Sequence, residues 1–547
     1  MLMTEAAQYR RYQAPQDDGQ TLVEPSAPLL AELIARNRRH ISDVSYDVQG
    51  RPLAELAAAA RSGLVAEALR YTSQYRDPPT LPRMGRERGE VPIVFTGHQP
   101  QLFHPGVWFK NFLLGRLANE VHGLGIHLLI DSDVCRSASI RVPTGSVEHP
   151  LLDAVPFDAA AEAVPFEERA VADEATFASF SGRVIELLRP VVEQPVVEAL
   201  WALIGRRNHQ ERNLGRRLAQ GRHALEGQWG NATLELPQSA VCQLPEFHWF
   251  VAHVLAHLPR LWAAHNDALA AYRRAHQLRN RAQPVPDLAE IDGWLEAPFW
   301  IWSDDDPRRR AAFARQQGDE LALTDRARQT ITLTLSADQE ASIAAEQLAD
   351  LARRGVKIRT RALATTLFAR LLLSDLFIHG IGGAKYDQVT DQIADQFFGF
   401  PLPTFATASA TLRLPIRHPG VSADELRTLQ RRLRELEYHP ERFLRVDGAR
   451  PGDSTTGAAS IAAEKRRWIE TPKTSTNARE RHLAIAAANA ALQPYLTAYR
   501  QQLNRQRDEL ERRVRAADIL DSREYSFCLF PREHLQRHLL DGSPSNP

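Results

Sequence analysis

The spacing of apolar positions changes around one stretch, Val91–Arg141, and the rest of the chain arranges itself about it. An apolar run, Val91–Phe95, stops at Thr96-Gly97. After a short polar turn a helical pattern begins at His104-Pro105, where the N–H that proline lacks would have had no partner. A second apolar run, Ile126–Ile130, closes on Asp131-Ser132-Asp133. Strand, tight turn, helix and strand within about 40 residues make a βαβ unit, whose right-handed crossover puts both turns at the carboxyl edge of a parallel sheet.

Helical spacing recurs at Leu29–Arg39 and Leu53–Tyr75, and the Pro-, Gly- and Arg-rich Asp77–Glu90 reads as a loop leading to the first strand. Residues 143–354 read as an insertion: helices at Phe177–Val192 and Val196–Ala219, an aromatic helical region, then a small sheet between about 295 and 337. The core is expected to resume near Gly355, with a short strand Leu376–His379, a turn at Gly380, Gly382 and Gly383, a helix from about Ala384 and a strand at Phe405–Leu414. Residues 421–517 carry an apolar stripe, Leu426, Leu429, Leu433 and Leu436, answered by Leu492, Leu496, Tyr499, Leu503 and Leu510. Pro440–Thr476 between them reads as a long loop, so the segment predicts an antiparallel helical arm, its stripe closed within one chain or used as a homodimer seam. Tyr525–Phe530 is strand-like and DGSPSNP a loose tail. The expected architecture is α/β: a Rossmann-like parallel sheet core in three pieces (1–142, 355–420 and 518–547), an inserted α+β region at 143–354 and a coiled-coil arm at 421–517.

Polar groups gather where this geometry exposes them. His98, Gln99 and His104 lie at the first turn and Asp131 and Asp133 after the second strand, beside free helix N–H groups that attract an anion. Lys385, in the first turn of a helix, opposes the dipole unless an anion is bound, so the glycine turn is either a second phosphate site or only a tight corner. His253 and His257 stand four apart, but Val254 follows the first histidine where zinc proteases carry glutamate, and the pair reads as a packed face. Trp300 and Trp302 share one strand face and could stack on a substrate ring, with burial in the small sheet the expected role.

Charge narrows the partners. Lys+Arg and Asp+Glu both number 67 in 547 residues, leaving no global field for nucleic acid or an anionic membrane. Arg308–Arg310 and Arg466-Arg467 read as solvated faces. Three cysteines, Cys135, Cys242 and Cys528, lack paired metal spacing and fit a reducing cytoplasm. The opening MLMTEAAQYRRYQ lacks the apolar core of a signal peptide, and no apolar run nears about 18 residues, so neither secretion nor membrane spanning is expected.

These islands, in this order, resemble the cysteine-adding enzyme family of bacillithiol biosynthesis (BshC). FTGHQPQLFHPG is similar to its TGQQ-type turn and helix, Asp131-Ser132-Asp133 to its acidic motif, FIHGIGGAKYD to its later double-glycine segment, and Arg523-Glu524-Tyr525 to its closing segment after a coiled coil. His98, Gln99, Pro100, Pro105, Phe109 and Lys110 also resemble the start of the WbqC-like family. Both families are similar in fold to the HIGH-type nucleotidyltransferases and aminoacyl synthetases, although here His98 replaces a glutamine and five residues separate it from His104, where a strict HIGH motif has two. The resemblance implies a carbon–nitrogen ligase of thiol biosynthesis joining an amino acid carboxylate, cysteine among the candidates, to the amine of an amino sugar, with ATP or another nucleotide as cofactor and no metal. His98 and His104 would then meet the phosphates by hydrogen bonds or positive charge. Lys110 or Lys385 would add a point charge, and Thr96, Gly97, Gln99, Gly382 and Gly383 would cradle the cofactor. Asp131 or Asp133 would hold the amine or take its proton, and Asp387, Arg523 and Glu524 would contact substrate. A nucleotidyltransferase and a noncatalytic nucleotide or metabolite sensor are the competing readings.

Overall fold

The computed structural model describes residues 9–80, 91–207, 211–280, 282–418, 420, 423–444 and 455–540. The terminal DGSPSNP and the arginine-rich end of the loop before the first strand lie outside the described residues. The chain is α/β and forms two compact units, one made of the residues up to Val142, Asp153–Pro415 and those from Arg523, the other of Pro143–Leu152 and Ile416–Ser522.

The first unit is built on a six-stranded sheet ordered Thr21–Glu24, Ala406–Ala410, Leu376–His379, Ile93–His98, Leu124–Leu129, Leu234–Pro237, parallel except for its first strand. The parallel strands are buried almost throughout on both faces, polar residues such as His127, Glu235 and Thr407 included. Phe95, Ile126, Leu128 and Phe377 join one core with the helices Leu53–Ser73 and Pro245–Ala256, while Trp108, Phe109 and Phe112 are buried on the helix Pro105–Glu120. Its strand order reverses between Ile93–His98 and Leu376–His379, the neighbouring pair from which the chain proceeds outward in both directions.

Several expectations change. The first strand does not stop at Thr96-Gly97 but runs to His98, held by Leu128 and Leu129 on one side and by the Thr96 hydroxyl donating to Ile378 O at 2.7 Å on the other. Sheet pairing overrides the local turn preference, and a Cβ at Gly97 would sit in tight contact, 3.1 Å, with Leu128 O. Residues 143–354 are not a separate insertion, since Leu234–Pro237 is a strand of the central sheet. Val356–Thr360, expected to open the returning core, instead pairs with Trp294–Ser303 in a second, antiparallel sheet with Asp306–Gln317, Glu320–Thr324 and Thr330–Thr334. The helix after Leu376–His379 starts at Ile381, so Gly382 and Gly383 lie inside its first turn and Gly380 caps it. Tyr525–Phe530 is no strand: it makes a 3-10 turn, Phe527–Leu529, whose Phe527 packs on Trp108 at 4.2 Å between ring centres.

In the second unit the helices are Ala423–Tyr438, Thr455–Glu470, Ala478–Leu492 and Thr497–Leu520. The expected loop Pro440–Thr476 therefore contains a helix, Thr455–Glu470, with Lys465 buried and bonded to Glu441 and to Tyr438 O. Leu429 and Leu436 pack against Leu496, Tyr499 and Leu503, and Arg513 reaches Gly420 O while Gln493 reaches Leu436 O, so the first and last helices run antiparallel.

Candidate functional site

A cleft of about 400 Å³ opens at the carboxyl ends of the four strands Ile93–His98, Leu124–Leu129, Leu376–His379 and Ala406–Ala410, across the point where strand order reverses. This is the position at which open parallel sheets leave a crevice for ligands. His98, His104, Asp133, Gly97, Gln99, Lys110, Gly382, Gly383 and Arg523 of the expected residues line it. Among the described residues its charged lining is three cations, Lys110, Arg309 and Arg523, against one anion, Asp133.

Lys110 reaches the cleft from the second turn of its helix. It is buried, and its Nζ donates to Gly97 O at 3.1 Å. Among the described residues no carboxylate pairs with it, and burial pushes its pKa down to about 8. A Cβ built on Gly380 would lie 3.9 Å from that nitrogen, which sets the amine beside the start of the helix Ile381–Phe398. Among the described residues no side chain caps this helix. Its first N–H groups and the positive end of its dipole therefore add to the field of the lysine.

For the two imidazoles the sequence left hydrogen bonding and positive charge open, and burial works against the charge in both. His98 Nδ1 lies 3.0 Å from Gln99 O and Nε2 3.3 Å from Asn111 Oδ1. Burial, reinforced by His127, Lys110 and Arg222, drives its pKa well below the ordinary histidine range, so the ring is neutral. His104 caps the helix Pro105–Glu120, its Nδ1 accepting the Gly106 N–H at 3.1 Å. That bond leaves the proton on Nε2, which stands 3.9 Å from Glu524 Oε2. Burial lowers its pKa despite Glu524.

The paired acids divide. Asp133 accepts from Gln99 Nε2 at 2.8 Å and from Arg309 Nη1 at 2.9 Å, and the same Arg309 nitrogen donates to Ser132 O. Asp131 turns away from the cleft. Fully buried, it binds the Ser239 N–H and hydroxyl and ties the sheet edge to the helix Gln238–Val241. Three further candidates also lie off the cleft. Thr96 is spent on Ile378 O; Lys385 is exposed, turned outward by the helical period; Asp387 is buried against Arg370, His379 and Thr366. Glu524 is an exposed neighbour of His104 that does not line the cleft.

Two contributors were assigned other roles from sequence. Trp300, expected to be buried, lines the cleft with Arg309 at 4.4 Å and Arg361 at 4.7 Å from its ring centre, while Trp302 is buried and donates to Glu168. Arg309 was read with its neighbours as a solvated face, but alternation along Asp306–Gln317 sends Arg308 and Arg310 to Asp306 and Arg309 to Asp133. The period of two in that run was the available signal. Behind His98 lies a buried network: His127, its ring centre 4.1 Å from that of His98, binds Glu235 at 2.8 Å, and Arg222 bridges Glu235 and Glu226.

The pair His253 and His257 does not stand open for a metal: His253 bonds Tyr46 and Gln49, and among the described residues no three His, Cys, Asp or Glu side chains converge. All three cysteines are buried. Among the described residues no helix is long and apolar enough to cross a membrane. No protein-family model matches the chain, and no curated protein matches it.

Proposed function

We propose that this protein is a ligase that joins the carboxylate of an amino acid to the amine of an amino sugar or similar small molecule, with ATP or another nucleotide activating the carboxyl. The observation that carries the reading is the cationic cleft itself, where Lys110 and an uncapped helix N-terminus meet at the carboxyl edge of parallel strands. On this reading the central sheet is a Rossmann-like core and the second unit a coiled-coil arm. An activated acyl group is an acyl phosphate or adenylate, and its phosphate would sit against the Gly382 and Gly383 N–H groups and Lys110. The Nε2–H of His104 would donate a hydrogen bond without charge, while the neutral His98, its nitrogens turned to Gln99 O and Asn111 Oδ1, would serve as cleft wall. Asp133, not Asp131, would receive the amine, with Trp300 and Arg309 as the facing wall and Arg523 on the opposite rim.

The helical stripe is consumed within one chain, so a homodimer through this unit would use outward residues such as Leu483 and Tyr495; sedimentation of Leu483→Glu against the parent tests that. The function is tested by incubating the protein with ATP, mixed amino acids and amino sugars, and looking by mass spectrometry for an amide whose formation requires all three. Pyrophosphate release with no amine acceptor would point to nucleotidyl transfer instead, and nucleotide binding without any turnover to a sensor.

A further inference from the structure

Only five of the 67 basic residues in this chain are lysines: Lys110, Lys357, Lys385, Lys465 and Lys473. Lys357 is paired with Glu168 and Asp304, Lys465 with Glu441, and Lys385 and Lys473 are exposed. Lys110 alone among them is buried in the cleft and, among the described residues, has no carboxylate beside it, its one hydrogen bond going to the Gly97 carbonyl. Where a permanent cation suffices, this sequence uses arginine almost without exception. A guanidinium cannot give up its proton in a protein, whereas a desolvated lysine can and so becomes a nucleophile.

We propose that Lys110 is a reactive amine that condenses with the carbonyl carbon of an anionic small-molecule aldehyde or ketone, whose anion rests on the N-terminus of the helix Ile381–Phe398. The geometry supplies both halves. The nitrogen stands within about 4 Å of the position that a Cβ on Gly380 would take, at the mouth of a helix whose first turn carries Gly382 and Gly383 in place of larger side chains. Burial, which lowers the lysine pKa to about 8, keeps a neutral fraction available near neutral pH. In the step itself the nitrogen lone pair attacks the carbonyl carbon and a C–N bond forms. Both amine protons pass to the carbonyl oxygen, which leaves as water, and a C=N bond remains. Nothing is oxidised or reduced. This activity uses the cleft of the ligase reading but not its reaction.

The test uses the full chain and pyridoxal phosphate, an aldehyde that carries a phosphate, followed by borohydride to fix any imine and peptide mapping by mass spectrometry. The expected result is a secondary amine concentrated at Lys110, suppressed by inorganic phosphate and lost in Lys110→Arg, whose fold is checked by circular dichroism. Label confined to Lys385 and Lys473, or label at Lys110 that phosphate does not suppress, overturns the proposal. The wild-type map decides the matter even where the variant misfolds. A failure to form amide in the ligase assay does not alter this readout, so the two ideas fail separately.

Discussion

Lys110 sets the terms at the scale of single residues. Its pKa of about 8 in the fold lies well under that of an unfolded lysine, so from about pH 8 up to the ordinary lysine range the unfolded chain binds the proton that the fold has released. Stability therefore rises with pH through that window, and below it the fold carries a buried charge at a cost on the order of 3 kcal/mol. Lys110→Met should stabilise the protein by about 1–3 kcal/mol at pH 7 and by less at pH 10, while abolishing phosphate binding. Urea midpoints at the two pH values check it, and an unchanged midpoint at pH 7 removes the strain. The acids make a paired prediction. Asp131→Ala should cost about 1–3 kcal/mol because Ser239 loses its partner, whereas Asp133→Asn should keep the fold and lower amide formation. The sequence put Asp131 and Asp133 on equal terms, because which of two acids at a strand end turns inward depends on Ser239 and Arg309, more than 100 residues away in the chain. Arg309 was hidden for the matching reason: its partner is distant, and only strand alternation hinted that it differed from Arg308.

Elements were more legible than residues. The helix from Pro105 and the strands around it were readable from local pattern because burial on both faces writes an apolar run and a histidine-proline start writes a cap. Boundaries decided by tertiary pairing were not: Val356–Thr360 belongs to the second sheet through Trp294–Ser303, and nothing in VKIRT says so. The helix Ile381–Phe398, ended by Gly399 in the left-handed region at φ 81°, offers a separate test of how its first turn is used. A Cβ on Gly383 would come within 2.6 Å of His379 Nδ1, whose ring holds Asp387, so Gly383→Ala should cost about 1–3 kcal/mol. A Cβ on Gly382 meets only the Tyr386 hydroxyl, at 3.4 Å. Gly382→Ala should leave stability unchanged or raise it by up to about 1 kcal/mol, as alanine does in helices, while weakening phosphate binding measured by calorimetry. Equal phosphate affinity in Gly382→Ala would mean that no anion approaches this turn.

At the scale of the whole molecule, six buried histidines of the first compact unit act together. His98, His127 and His223 are held well below the usual range, His248 and His265 near 4 and His253 near 3, in every case first by burial. All six belong to the first compact unit, where they pack with aromatic rings, the Arg222 network and the cleft wall. A histidine depressed in the fold stays unprotonated while its unfolded counterpart takes up a proton below about pH 6.5. Between there and about pH 4 the unfolded chain thus binds more protons than the native one, and stability falls as pH falls, by up to about 1.4 kcal/mol per pH unit for each such ring. The melting temperature should therefore drop steeply between pH 7 and pH 5.5, with little further gain above pH 7.5 from these groups. His253→Gln should flatten the slope by about one proton, since glutamine can keep the bonds to Tyr46 and Gln49 without titrating. Thermal unfolding across that pH range, with the proton count taken from the slope, settles it: a flat profile would mean that water reaches these rings in the native state, and with them the dry cleft wall that His98 provides.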